Sequence, residues 1–169
     1  CKTCTIRCPR GLKPMDLVIG MRGRLVEEGH IPKTIIEAME SVYKHGNPWG
    51  KQKNKRTEWI KTLPEDFKIK DFSQGDRADY LYFTGCTAAF DPRIQEVAKA
   101  WVFGLQRAEV DFGILANEEQ CCGNEIRRMG ESGLFEELVG GNMQRFDAYQ
   151  IQHIVTMCPH GFNALKNEY

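Results

Sequence analysis

A chain of 169 residues has room for one compact domain and a small satellite. Its 23 Lys and Arg balance 23 Asp and Glu, which argues against nucleic acid as a partner, because a domain that binds it carries a basic excess. No apolar stretch approaches the ~20 residues of a membrane span, so the visible part reads as soluble, and the expected localisation is cytoplasmic. Both ends look cut, at Cys1 and within "LKNEY", and membrane association would come through missing segments or a partner.

Residues 1–10 ("CKTCTIRCPR") form a cysteine loop. Two helices follow, predicted over 14–28 and 33–44. In the first, Met15, Val18, Ile19, Leu25 and Val26 recur at helical spacing and Gly29 ends it. Pro32 opens the second, and Gly46-Asn47-Pro48 stops it. Residues 50–56 ("GKQKNKR") read as a solvated linker rather than a docking patch for an acidic partner. The stretch 64–79 lacks periodicity and reads as a connector.

From Tyr80 the pattern changes to strands at 80–85 ("YLYFTG"), 110–115 ("VDFGIL") and 153–157 ("HIVTM"). Between them lie helices at 91–108, with Ile94, Val97, Ala98, Trp101 and Leu105 on one face, and at 131–150, with a glycine break at 140–141. Strands alternating with helices predict an α/β fold with a parallel sheet and right-handed crossovers. Trp49, Trp101 and Phe103 read as core rather than as electron paths. His30, His45 and His153 read as structural, and Arg127 and Arg128 as a helix surface rather than a lure for an anionic substrate.

Seven cysteines stand at 1, 4, 8, 86, 121, 122 and 158. An odd, clustered set makes a poor disulfide framework. Inert core thiols would be scattered singly along apolar runs, whereas these sit in groups beside Gly and Pro. That favours metal ligation in a reducing compartment. Adjacent cysteines rarely bond each other, because the backbone between them is too short for relaxed disulfide geometry. Cys121 and Cys122 therefore need another partner.

Cys1-x2-Cys4-x3-Cys8-Pro9 fits the tail of the bacterial ferredoxin run that wraps a [4Fe–4S] cubane. On that logic Cys1 and Cys4 share one cluster, and Cys8 serves a second whose other ligands lie upstream. A zinc half-site is the alternative, but zinc sites come as two C-x2-C pairs and no second pair is visible. The later cysteines behave differently. Cys86, Cys121, Cys122 and Cys158 all follow predicted strand ends, and open parallel sheets gather their ligands along that edge. Four thiols separated by 34 and 35 residues are thus expected to converge on one site.

The segments "YFTGC", "EEQCCGNEIRRMGE" and "VTMCPHGFNALKNEY" resemble the cysteine-rich CCG domain of the heterodisulfide reductase B/D-type family, D-type members above all. The resemblance implies an N-terminal α-helical ferredoxin-type cluster segment followed by a parallel-sheet α/β CCG domain. Residues 1–50 would be the C-terminal part of the ferredoxin-like domain, 51–78 a linker and 79–169 a truncated CCG domain. It also implies an iron–sulfur oxidoreductase subunit with Cys1, Cys4 and Cys8 holding cubanes. Cys86, Cys121, Cys122 and Cys158 would hold a noncubane [4Fe–4S] cluster or zinc. Electrons would arrive from flavoprotein, ferredoxin-type or membrane cytochrome partners and leave for a disulfide or a quinone. A non-redox module braced by zinc is the alternative.

The family motif ends C-x2-C, and its last position here is Gly161. Three readings follow: a site altered toward zinc or a simpler cluster, an open iron, or a sequence error or damaged copy. His160 is read as a helix-start residue facing solvent rather than a substitute ligand. Glu118 and Glu119 read as a polar loop lip rather than as tuners of a cluster potential. Gly85 and Gly123 are expected to let backbone amides approach the sulfurs.

Overall fold

The computed structural model describes residues 3–65 and 67–169; Cys1 lies outside them. Three N-terminal helices, α1 (Thr3–Ile6), α2 (Pro14–Glu27) and α3 (Lys33–His45), precede the sheet. Pro14 opens α2 with the backbone angle a first turn needs. Gly46 closes α3 in the left-handed conformation, its N–H reaching the Val42 carbonyl. Both helices lie where hydrophobic periodicity puts them.

Four short parallel strands follow: β1 (Lys70–Asp71), β2 (Tyr80–Tyr82), β3 (Phe112–Ile114) and β4 (Ile154–Val155), in the spatial order β1-β3-β2-β4. Between and after them come α4 (Cys86–Phe90), α5 (Pro92–Arg107), α6 (Asn124–Met129), α7 (Ser132–Ala148) and α8 (Pro159–Asn167). The α/β class and the parallel sheet are as expected. Asp91 caps α5 by accepting the Arg93 N–H at 2.9 Å, with Pro92 at the first position.

Side chains alternate across β2. Tyr82 joins Trp59, Ala98, Val102, Phe112 and Ile114 in one core, while Leu81 and Phe83 join Phe72, Leu115, Phe146 and Ala164 in another. A third cluster joins Met39 and Val42 of α3 to Cys121, Ile126, Phe135 and Leu138. Helices α2 and α3 thus share a core with the thiol-bearing loops.

Three expectations are corrected. The stretch read as linker and connector contributes β1 to the sheet edge, and it buries Arg56, Trp59 and Phe72. A strand of two polar residues carries no hydrophobic signal, so periodicity missed it. Helix α7 runs unbroken through Gly140 and Gly141. A helical glycine costs about 1 kcal/mol relative to alanine, and the buried face of Phe135, Leu138, Asn142 and Phe146 outweighs that. Finally, Trp49, Trp101 and Phe103 stand substantially exposed rather than in the core; Phe103 packs edge-on against Phe67 at the surface, with ring centroids 4.7 Å apart.

Candidate metal centre

The sheet delivers Cys86, Cys121, Cys122 and Cys158 to one place. Cys86 starts α4 four residues after β2, Cys158 caps the start of α8 after β4, and the Cys121–Cys122 pair lies between β3 and α6. All four line a single cavity of about 100 Å³, together with Gly85, Glu125, His160, Gly161 and Trp49. Cys121 and Cys122 are buried, and Cys86 and Cys158 half-buried. Cys4, in α1, and Cys8, just after it, do not line this cavity.

Three of the four sulfurs, those of Cys86, Cys121 and Cys158, receive polar support. The Gly123 N–H points to Cys121 Sγ at 3.4 Å, and the Gly161 N–H to Cys158 Sγ at 3.5 Å. Gly123 fills the role expected of it: its φ is +77°, and a Cβ there would come within 2.7 Å of the Phe135 ring. Gly85 does not. Its N–H goes to Glu119 at 2.9 Å and not to a sulfur. Cys86 Sγ lies 3.6 Å from Arg56 Nη2 and 3.4 Å from the Gly46 carbonyl.

Arg56 and Glu119 are the residues that sequence reasoning placed wrongly. Both are 2% exposed. Arg56 Nη1 meets Glu119 Oε1 at 2.7 Å, and its Nη2 donates to the Gly46 carbonyl at 3.1 Å. Its guanidinium also lies over the Phe90 ring, 5.3 Å from the centroid. Glu119 accepts the amides of Thr84 and Gly85 at 2.7 and 2.9 Å. The carboxylate thereby fixes the turn that launches Cys86, and the guanidinium sets a positive charge beside that sulfur.

Two further residues brace the adjacent cysteines. Asn142 Nδ2 donates to the Cys121 carbonyl at 3.1 Å and to Tyr169 Oη at 2.8 Å. Tyr169 Oη in turn donates to the Cys122 carbonyl at 3.2 Å. Asn142 follows directly on the glycines read as a helix break, so that reading concealed its inward face.

The thiols titrate unequally. A hydrogen bond from Cys121, helped by the Arg56 charge and hydrogen bond, holds Cys86 below the usual thiol range against burial. Cys121 is pushed well above that range by its hydrogen bonds to Cys122 and Cys86 and by burial. Burial also raises Cys158, opposed by the Gly161 and His160 amides. Burial pushes Glu119 up while Arg56 and the two amides pull it back. Burial alone would lower Arg56, and the negative charge around it more than offsets that.

Four thiols converging on one cavity, with backbone amides aimed at two of the sulfurs, are a donor set that suits zinc or an iron–sulfur cluster. Arg127 and Arg128 face Glu168, so the surface reading stands in place of an anion site. His160 is 65% exposed at its side chain and pairs with Glu125 at 3.3 Å. Among the described residues no helix is long and apolar enough to cross a membrane.

These features define a soft-donor site at the carboxyl edge of a small parallel sheet. The chain belongs to the family of cysteine-rich CCG domains, whose profile matches residues 80–166, more than half of it. It is 35% identical to the EtfAB:quinone oxidoreductase of Syntrophomonas wolfei, over all of this chain and 24% of that protein. It is also 35% identical to a probable iron–sulfur-binding oxidoreductase of Bacillus subtilis, again over all of this chain and 24% of that protein. The D-type component of the dihydromethanophenazine:CoB–CoM heterodisulfide reductase of Methanosarcina barkeri is 29% identical, over 98% of this chain and 39% of its own length. The chain thus spans about a quarter of the length of the first two relatives. No solved structure matches it. The resemblance to D-type heterodisulfide reductase and to iron–sulfur oxidoreductases is upheld.

Proposed function

We propose that this chain is the electron-relaying part of an iron–sulfur oxidoreductase. Cys1, Cys4 and Cys8 serve ferredoxin-type cubanes, and Cys86, Cys121, Cys122 and Cys158 hold a second metal centre. The observation that carries the reading is the meeting of four thiols from three strand ends in one cavity. The names of the relatives, an EtfAB:quinone oxidoreductase and a heterodisulfide reductase component, support electron transfer between protein partners.

A cluster bound to these thiols supplies one-electron steps. The chain's own residues set the conditions for them. Arg56 offsets negative charge beside Cys86, and the amides of Gly123 and Gly161 do so at Cys121 and Cys158. Hydrogen bonds to cluster sulfurs are among the factors that set reduction potential. On this reading electrons enter from a flavoprotein, ferredoxin-type or membrane cytochrome partner and leave for a quinone, which would bring the protein to a membrane surface. Gly161 favours relay over disulfide cleavage, because the fifth thiol of the resembled motif is absent.

The test is metal and sulfide analysis of the anaerobically purified full-length protein, followed by reductive titration monitored by electron paramagnetic resonance. Iron with acid-labile sulfide and reversible one-electron signals are expected. Zinc without sulfide at the CCG thiols would replace the relay with a non-redox brace for a partner interface.

A further inference from the structure

The resembled motif asks for a fifth donor at position 161, and the cavity there is lined by glycine. Gly161 is buried, and a Cβ on it would meet only ordinary contacts, 3.6 Å from Thr156 Oγ1 and 3.7 Å from Cys158 Cβ. Nothing steric forbids a Cβ there. The donor that the resemblance leads one to expect is simply not supplied from α8.

A different side chain faces the same space. Glu125 lies three residues after Cys122 on the first turn of α6. One of its carboxylate oxygens, Cys121 Sγ and Cys122 Sγ lie within 4.8 Å of one another, the one group of three such ligand atoms found among the described residues. Glu125 lines the thiol cavity alongside Gly161 and His160. Its Oε1 is held by Asn124 Nδ2 at 3.2 Å and His160 Nδ1 at 3.3 Å.

We propose that Glu125 is an oxygen ligand of the thiol centre, taking over the coordination position that Gly161 leaves without a thiol. The proposal rests on the reading of Cys86, Cys121, Cys122 and Cys158 as metal ligands. His160 then has a role that its exposure alone does not suggest: it orients the carboxylate from the α8 side, as hydrogen-bonding partners of metal-bound carboxylates do. The class of site changes accordingly. A carboxylate is a harder donor than a thiolate, so one metal of the centre carries mixed sulfur and oxygen ligation rather than sulfur alone.

The test uses the full-length protein purified without oxygen and the X-ray absorption of whatever metal it holds. Wild type is expected to show an oxygen scatterer beside the sulfurs at the CCG centre, with Cys4→Ala and Cys8→Ala, which offer no donor atom, used to subtract the cubane contribution. Glu125→Ala should lose the oxygen scatterer and release metal to a chelator about tenfold faster or more, at least the effect of removing an outer-shell partner, while Glu125→Asp, which keeps a carboxylate, recovers part of the retention. Glu125→Ala combined with Gly161→Cys should give an all-sulfur shell and slow release again. An all-sulfur shell in wild type, or an unchanged spectrum in Glu125→Ala, overturns the proposal while leaving the four-thiol centre standing. A wild-type protein with no metal at these thiols overturns both.

Discussion

Glu119→Ala is expected to destabilise the protein by about 3–5 kcal/mol, the range for removing one partner of a buried ion pair. The substitution strands Arg56, 2% exposed, with only the Gly46 carbonyl and the Cys86 sulfur as polar contacts. It also leaves the Thr84 and Gly85 amides without the acceptor they share, and buried unsatisfied donors carry a full desolvation penalty. The turn at Thr84-Gly85 launches Cys86, so the loss should extend to the thiol site. Urea denaturation in paired wild-type and variant samples measures the first effect, and the metal content of the folded variant measures the second. A loss below ~1 kcal/mol would mean that the pair is solvated and does not organise the turn.

Gly130→Ala should be comparably damaging, for a steric reason. A Cβ at position 130 would lie 2.4 Å from Gly23 N, 2.6 Å from Arg22 C and 2.8 Å from Arg22 Cβ. Two of these are backbone atoms of α2, which cannot move aside singly. Residue 130 also has φ +92°, so alanine pays left-handed strain of about 1–3 kcal/mol on top of overpacking of about 1–3 kcal/mol. The expected loss is therefore about 2–6 kcal/mol, with α2 pushed off α6. Gly29→Ala is the control, since φ there is +74° but nothing lies within 4 Å of the added Cβ. Denaturation midpoints of the two variants separate strain from clash. Equal losses would show that α2 is free to give way.

The thiol convergence was legible because it needs only coarse structure. Once three apolar runs are taken as parallel strands, the rule that ligands gather at their carboxyl ends brings Cys86, Cys121, Cys122 and Cys158 together. The longer helices α2, α3 and α5 were legible through periodicity, with Gly29 just past α2, Pro32 ahead of α3 and Gly46 at its close. What escaped has a common physical cause. Arg56 and Glu119 are 63 residues apart, and their pairing depends on tertiary burial that leaves no local trace. Each looked like one more charge in a polar run. Lys70 and Asp71 form an edge strand by backbone pairing with Gly113 and Ile114, which side-chain pattern does not report. Glu125 was hidden in the same way: beside CCG it reads as an ordinary first-turn acid, and only the approach of α8 with Gly161 and His160 reveals what it faces.

The most direct test of a shared centre compares metal content in Cys86→Ala, Cys158→Ala and the double variant of the anaerobically purified protein. If sulfurs from opposite ends of the domain clasp one inorganic unit, each single change abolishes the same portion of bound metal, and the double change removes no more than either. Losses that add up, or full metal retention in both single variants, would mean that these thiols do not serve a common centre.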